Sequence, residues 1–213
     1  MKRRYQAVIF DLDGVIVSTD RYHFQAWSEL AEQEGIEFNE QINHRLRGVS
    51  RMESLEIILE KASRRYTEAE KRELAERKNE MYRSLLAQLT ESDLLPGVAQ
   101  TLAALRERGI KIAIGSSSKN APVILERIGL AERFDAVADG NGIVSSKPDP
   151  EVFLLAASKL ALPPEACLVV EDAEAGVVAA KRGGMAAAAV GEARSCKDAD
   201  YRLESIDQLL SIV

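Results

Sequence analysis

Ala7-Val8-Ile9-Phe10-Asp11-Leu12-Asp13-Gly14 is the stretch that decides how this chain reads. The first four residues are apolar, β-branched at Val8 and Ile9, and uninterrupted by charge. They read as a buried strand that Gly14 ends by permitting a turn. Asp11 and Asp13 therefore stand where a strand opens into a loop. In open α/β sheets, ligands bind outside the carboxyl ends of the strands. Aspartate is rarely buried unless it is paired or holds a metal, so two of them in this place point to chemistry. Asp-x-Asp-Gly taken alone is equally compatible with a solvated turn.

The remainder of the chain bounds the choice. Its 213 residues suit one domain or one and a half, and an apolar fraction of 46% supports a substantial core. The net charge of −6 argues against general binding to nucleic acid or to an anionic membrane, since both call for basic surfaces. Phosphate recognition would have to be local, made by a few Lys, Arg and backbone N–H groups. No stretch approaches the roughly 18 apolar residues of a membrane-spanning helix, and the basic start Met1-Lys2-Arg3-Arg4 has no signal-type apolar region behind it. Cys167 and Cys196 lack zinc-site spacing and read as free thiols of a cytoplasmic protein.

Beyond Leu95-Pro96-Gly97, helical segments alternate with short apolar runs: Ile110–Ile114, Ala136–Ala138, Leu168–Val170 and Ala186–Val190. Such alternation implies right-handed βαβ units in a parallel sheet. The first strand, read as Tyr5–Phe10, must join that sheet because it cannot stand alone. Between them, Tyr22 to Leu89 is helical in pattern, without Pro, and charge-rich from Lys61 to Arg83 in the manner of a solvated helical face. The expected architecture is a Rossmann-like, doubly wound parallel α/β core (residues 1–18 and 90–213) with an inserted α-helical cap domain (19–89).

Three further groups fall at strand ends. Ser116-Ser117-Ser118-Lys119-Asn120 follows one strand and precedes a helix with Pro122 in its first turn. It reads either as an N-cap cluster or as an anion site of hydroxyls and free N–H groups. Lys147, in the stiff loop Ser145 to Pro150, is either an exposed lysine or a cation that offsets charge beside the two aspartates. Glu171-Asp172 adds acids at a further strand end, and acids from two strand ends resemble a hard-cation site.

These four groups, in this order, resemble the haloacid dehalogenase superfamily of phosphotransferases, and the helical insertion looks like its small cap. The match narrows to the β-phosphoglucomutase family through Asp11 to Ile16, Thr19, Tyr22-His23-Phe24, Ala26-Trp27, Leu46 to Arg51, Arg77-Lys78-Asn79, Ser116, Ser118-Lys119-Asn120, Lys147-Pro148 and Glu171-Asp172. Ser18, where many relatives have Asp, and Ala173, where Ser is common, depart from the pattern. The resemblance implies interconversion of β-glucose 1-phosphate and glucose 6-phosphate through β-glucose 1,6-bisphosphate and an aspartyl-phosphate enzyme. A monomer acting on sugar phosphates and bisphosphates, with Mg²⁺ as cofactor, is expected.

The residues support these roles chemically. Asp11 would attack phosphorus, because a phosphoryl group held by cations needs mainly positioning and charge neutralisation. Asp13 would serve as general acid and base. Mg²⁺ would be held by Asp11, the Asp13 carbonyl, Asp172 and Glu171, and the transferring phosphoryl oxygens by Ser116 and Lys147. In the cap, Arg51 would grip the second phosphate of a bisphosphate, preceded by Gly48, Val49 and Ser50, whose backbone could approach closely; Asn120 would share this grip, and Ser118 is a further substrate-site candidate. Arg51 reads equally as a helix-starting surface residue. His23, Trp27 and Lys78 are further substrate-site candidates; His23 also reads as a packed hinge residue and Trp27 as core. Competing functions are a sugar-phosphate phosphatase on the same fold and a non-catalytic phosphosugar-binding protein. The latter would be expected to lose Asp11 or the acid pair.

Overall fold

Strand β1 (Ala7–Phe10) has no exposed surface in the computed structural model, which describes residues 4–46 and 49–213. Val8 and Phe10 face one apolar cluster and Ala7 and Ile9 another, so the period-two alternation of a strand feeds two cores, one on each side of the sheet. After the insertion come α5 (Val98–Glu107), β2 (Lys111–Gly115), α6 (Ala121–Arg127), β3 (Ala136–Ala138), α7 (Glu151–Lys159), β4 (Cys167–Glu171), α8 (Glu174–Arg182), β5 (Ala186–Ala189) and β6 (Tyr201–Arg202). The sheet has six strands in the order β3-β2-β1-β4-β5-β6, and every pairing is parallel.

β1 is thus the strand at which the winding reverses, with β2 on one side and β4 on the other. Its register sets Phe10 against both Ile114 and Val170, so Asp11, Gly115 and Glu171 emerge level at the carboxyl edge. Tyr5 and Gln6, expected in the strand, lie ahead of it; Gln6 still donates to the Ala166 carbonyl, while the Tyr5 hydroxyl pairs with that of Tyr201 at 3.0 Å. The two-residue β6 is too short to leave a periodic signal in the sequence.

The insertion resolves into α1 (Asp20–Glu34), α2 (Glu40–His44), α3 (Arg51–Leu59) and α4 (Glu68–Leu86). Local signals account for the breaks. Gly35 takes the left-handed conformation that ends α1, and Ser50 with Glu53 and Thr67 with Glu70 form capping boxes that open α3 and α4. Trp27, Leu30, Ile42, Leu55, Ile58 and Leu74 give the cap its own core. The expectation of a solvated face over Lys61 to Arg83 needs correction. One side of α4 is solvated, but Lys78, Asn79 and Tyr82 on the other are buried against α1 and the core domain. Charge density in the sequence hid that face because Lys78 and Asn79 are themselves polar.

Candidate active site

The floor of the site is a buried charge cluster at the switch point. Lys147 Nζ donates to Asp11 Oδ1 at 2.5 Å and also contacts Glu171 Oε1; it rests 4.7 Å from the Phe153 ring centroid. Burial lowers the affinity of Lys147 for its proton, but the two carboxylates outweigh that and hold it firmly charged. Glu171 Oε2 accepts the backbone N–H groups of Asp172 and Ala173, each at 3.0 Å. Ala173 therefore serves the acid pair through its main chain.

Two glycines make room for the acids. Gly14 turns at φ +86°, and a side chain there would collide with the Asp172 carboxylate; a side chain at Gly176 would collide with that of Glu171. Asp11, Glu171 and Asp172 can each offer an oxygen within 4.8 Å of the others. Burial, then the neighbouring Glu171, Asp11 and Asp13, push the Asp172 carboxyl up to about 9, and burial raises Glu171 to about 6. One lysine does not offset this crowd of carboxylates. Hard oxygen donors whose protons are held by desolvation and mutual repulsion fit a divalent cation, which would replace those protons. Asp13 contributes no carboxylate to this group.

Asp13 instead turns toward the cap. Thr19 N donates to its Oδ1 at 2.7 Å and the Thr19 hydroxyl donates to Oδ2. Thr19 precedes α1 but does not cap it with its side chain, whose hydroxyl is committed to Asp13 and accepts from Tyr82 at 2.9 Å. Burial dominates over these hydrogen bonds and raises the Asp13 carboxyl to about 7. Two aspartates in one loop thus acquire different environments: one beside a fixed ammonium, the other partly desolvated and poised to give or take a proton.

The cap supplies the opposite wall. Lys78 Nζ lies 2.7 Å from His23 Nδ1 and between the rings of Trp27 and Tyr82, at 4.7 and 4.6 Å from their centroids. Burial first, and Arg51 second, bring Lys78 down to about 7, and burial with the same cations keeps His23 neutral. When Lys78 is protonated it donates to His23 Nδ1, an arrangement that fits a neutral ring with its proton on Nε2, 3.9 Å from Asp13 Oδ2. Trp27 is buried in the cap core beneath Lys78.

Ser116 is buried and its Oγ accepts from Ser118 N at 3.2 Å, while Ser118 Oγ accepts from Asn120 N at 3.1 Å. The serine loop is thereby curled at the end of β2, level with Asp11. Asn120 Nδ2 donates to Asn79 Oδ1 of α4 at 3.0 Å, a direct bond between core and cap. Ser50 caps α3, Val49 is half-buried beside it, and Arg51 begins the helix with Nη1 3.4 Å from Glu76 Oε2. Gly48 lies outside the described residues. Sequence reasoning quoted Thr19 and Asn79 as motif residues without a role, and passed over Glu76 and Tyr82. The four-residue spacing of Lys78 and Tyr82 on α4 was the available sign of a shared face.

The comparisons agree with this geometry. Residues 5–184 match the family model described as haloacid dehalogenase-like hydrolase. The chain is 49% identical over 206 residues to a β-phosphoglucomutase of Bacillus subtilis, covering 96% of this chain and 91% of that protein. A crystal structure of a β-phosphoglucomutase from Clostridium difficile superposes with a TM-score of 0.90 at 41% identity, over 96% of this chain and 93% of that one. A phosphatase of phosphorylated carbohydrates from Thermotoga maritima is more distant, at 33% identity over 84% of this chain and 82% of its own. The chain belongs to the haloacid dehalogenase-like hydrolase family, and within it to the β-phosphoglucomutase family.

Proposed function

We propose that this protein is a Mg²⁺-dependent β-phosphoglucomutase that interconverts β-D-glucose 1-phosphate and D-glucose 6-phosphate. The observation that carries the reading is the divergence of Asp11 and Asp13, two residues apart in one loop. Asp11, paired with Lys147, is the nucleophile; Asp13, raised to about 7, is the acid and base. In the first half-reaction, Asp13 takes the proton from the free sugar hydroxyl as that oxygen accepts the phosphoryl group from Asp11. The product is β-glucose 1,6-bisphosphate. In the second, Asp11 Oδ bonds to the other phosphorus, the phosphorus–sugar bond breaks, and Asp13 returns the proton to the departing oxygen. Lys147 and Ser116 hold the phosphoryl oxygens throughout. Asp11, the Asp13 carbonyl, Glu171 and Asp172 would hold Mg²⁺, which when bound neutralises charge on the phosphoryl group.

The intermediate carries two phosphates, so one must be held away from Asp11. Arg51 is the residue proposed for that grip, with Asn120 and Ser118 on the facing loop. The 49% identity to a β-phosphoglucomutase, against 33% to the sugar-phosphate phosphatase, supports transfer to sugar over transfer to water. We take the enzyme to be a cytoplasmic monomer; its two free, buried cysteines suit a reducing compartment. The deciding assay supplies β-glucose 1-phosphate, Mg²⁺ and a trace of bisphosphate. Glucose 6-phosphate should form far faster than free phosphate; predominant release of free phosphate would make the protein a phosphatase.

A further inference from the structure

The carboxylate of Glu76 stands where an anion is wanted. Its Oε2 lies 3.4 Å from Arg51 Nη1, and its Oε1 accepts from Asn79 Nδ2 at 3.2 Å. Glu76 and Asn79 are one turn apart on α4, and Asn79 Oδ1 is bonded to Asn120 Nδ2 of the core at 3.0 Å. Two oxygens of one anion thus bridge a guanidinium and an amide N–H, as phosphate oxygens do. The Glu76 side chain is 63% exposed, against 26% for Arg51, so the carboxylate can turn out into water while the guanidinium stays in place. Exposed ion pairs of this kind stabilise little, and breaking one is easy.

We propose that Glu76 is a specificity-determining residue that occupies the distal phosphate grip in the free enzyme, engaging Arg51 and Asn79 until the non-reacting phosphate of a ligand displaces it. The inference rests on the reading of Arg51 as the distal phosphate residue. A phosphate brings about two negative charges and three acceptor oxygens to donors that Glu76 serves with one charge and two oxygens, so it wins the exchange. A neutral sugar or an aryl phosphate has nothing to exchange, and the cap mouth stays bonded to itself. The displaced contact frees the Asn79 N–H at the cap–core junction, beside the bond to Asn120. Glu76 thereby sets a threshold for ligands with a second phosphate.

The test measures β-glucose 1,6-bisphosphate binding by calorimetry in Mg²⁺ for the parent, Glu76→Gln, Arg51→Ala and the double variant, each in an Asp11→Asn background that cannot take up a phosphoryl group, with kinetics read in the same set with Asp11 intact. The KM for para-nitrophenyl phosphate, which has no second phosphate, is the control. Glu76→Gln should bind the bisphosphate about 3- to 10-fold more tightly, the range in which an exposed competing pair acts. Its KM for the aryl phosphate should stay within about twofold, and the gain should vanish in the Arg51→Ala background. Weaker or unchanged binding in Glu76→Gln overturns the proposal, since Glu76 would then position Arg51 or do nothing. An equal gain for the aryl phosphate, or one that survives loss of Arg51, overturns it too, by showing a general field effect. If Arg51→Ala alone leaves bisphosphate binding untouched, the distal reading falls and takes this one with it. If Arg51→Ala weakens binding and Glu76→Gln fails to tighten it, only the placeholder is wrong.

Discussion

The floor and the roof of the site are built on opposite terms. At the floor, Asp11, Lys147 and Glu171 are buried, their positions set by three adjacent parallel strands and the loops they support. At the roof, Arg51 and Glu76 are partly exposed, and near the mouth the cap reaches the core through polar contacts such as Asn79–Asn120 and His44–Glu192, the latter at 3.1 Å, while Tyr22, Tyr82 and Leu86 join the core's apolar cluster at the hinge side. A phosphoryl transfer needs both. The reacting atoms require fixed geometry, because misplacement by about 1 Å can cost 10²-fold in rate. The cap must let a bisphosphate turn end for end, so its contacts must be breakable. The lesson is that burial separates what positions chemistry from what admits substrate.

If the floor is where chemistry is fixed, single changes there should be the most damaging. Asp11→Asn should abolish phosphoenzyme formation, since an amide does not attack phosphorus; mass spectrometry after incubation with bisphosphate reads this directly. Turnover at a normal rate in that variant would end the covalent mechanism. Chelation by EDTA should stop activity almost as completely and Mg²⁺ should restore it, because the raised Asp172 and Glu171 carboxyls are otherwise left crowded. Unchanged rates in metal-free buffer would remove the cation site.

Asp13→Asn comes next, slowing transfer by about two to four orders of magnitude as acid–base catalysis is lost, with binding of glucose 6-phosphate little changed. At the roof, Arg51→Ala should lower mutase turnover by about two orders of magnitude while hydrolysis of a small aryl phosphate changes far less. An equal fall in both would show that the cap does not discriminate and would move the phosphatase reading forward.

The smallest effect should appear in stability. Lys78 is buried and brought down to about 7, so the folded state holds its proton less well than the unfolded chain. Its contribution therefore favours folding more as pH rises from about 7 toward the ordinary lysine value, and it disfavours folding below that window. Lys78→Met should flatten this rise and raise Tm near pH 7 by a few degrees, as removal of a buried cation does in a protein of this size. Activity should fall at the same time, since His23 loses its partner. A variant less stable than the wild type at pH 7 would show that Lys78 works structurally.

Much of the floor was legible in the chain. Apolar runs of four or five residues that end in Asp, Ser or Glu mark buried strands and their carboxyl ends, and both signals are local. Gly176 stands a few positions after Glu171, which it accommodates, whereas the acid that Gly14 makes room for, Asp172, lies far along the chain. The orientation of Asp13 was not legible: its turn toward Thr19 depends on where α1 docks, which the loop residues do not encode. Nor was the buried face of α4, where Lys78, Asn79 and Tyr82 look like surface on any hydropathy pattern.

The sequence by itself determined the parallel α/β core, the inserted helical cap and the acids at the strand ends, because strand period, helix caps and turn glycines act over a few residues. Only the tertiary structure decided that Lys147 bridges Asp11 and Glu171, that Tyr82 bonds the Thr19 hydroxyl that holds Asp13, and that Glu76 sits on Arg51. Apart from Thr19 with Asp13, those pairings join residues that are far apart in the chain, and their energies depend on mutual distance and burial. Neither quantity exists until the sheet register and the docking of the cap bring the groups together.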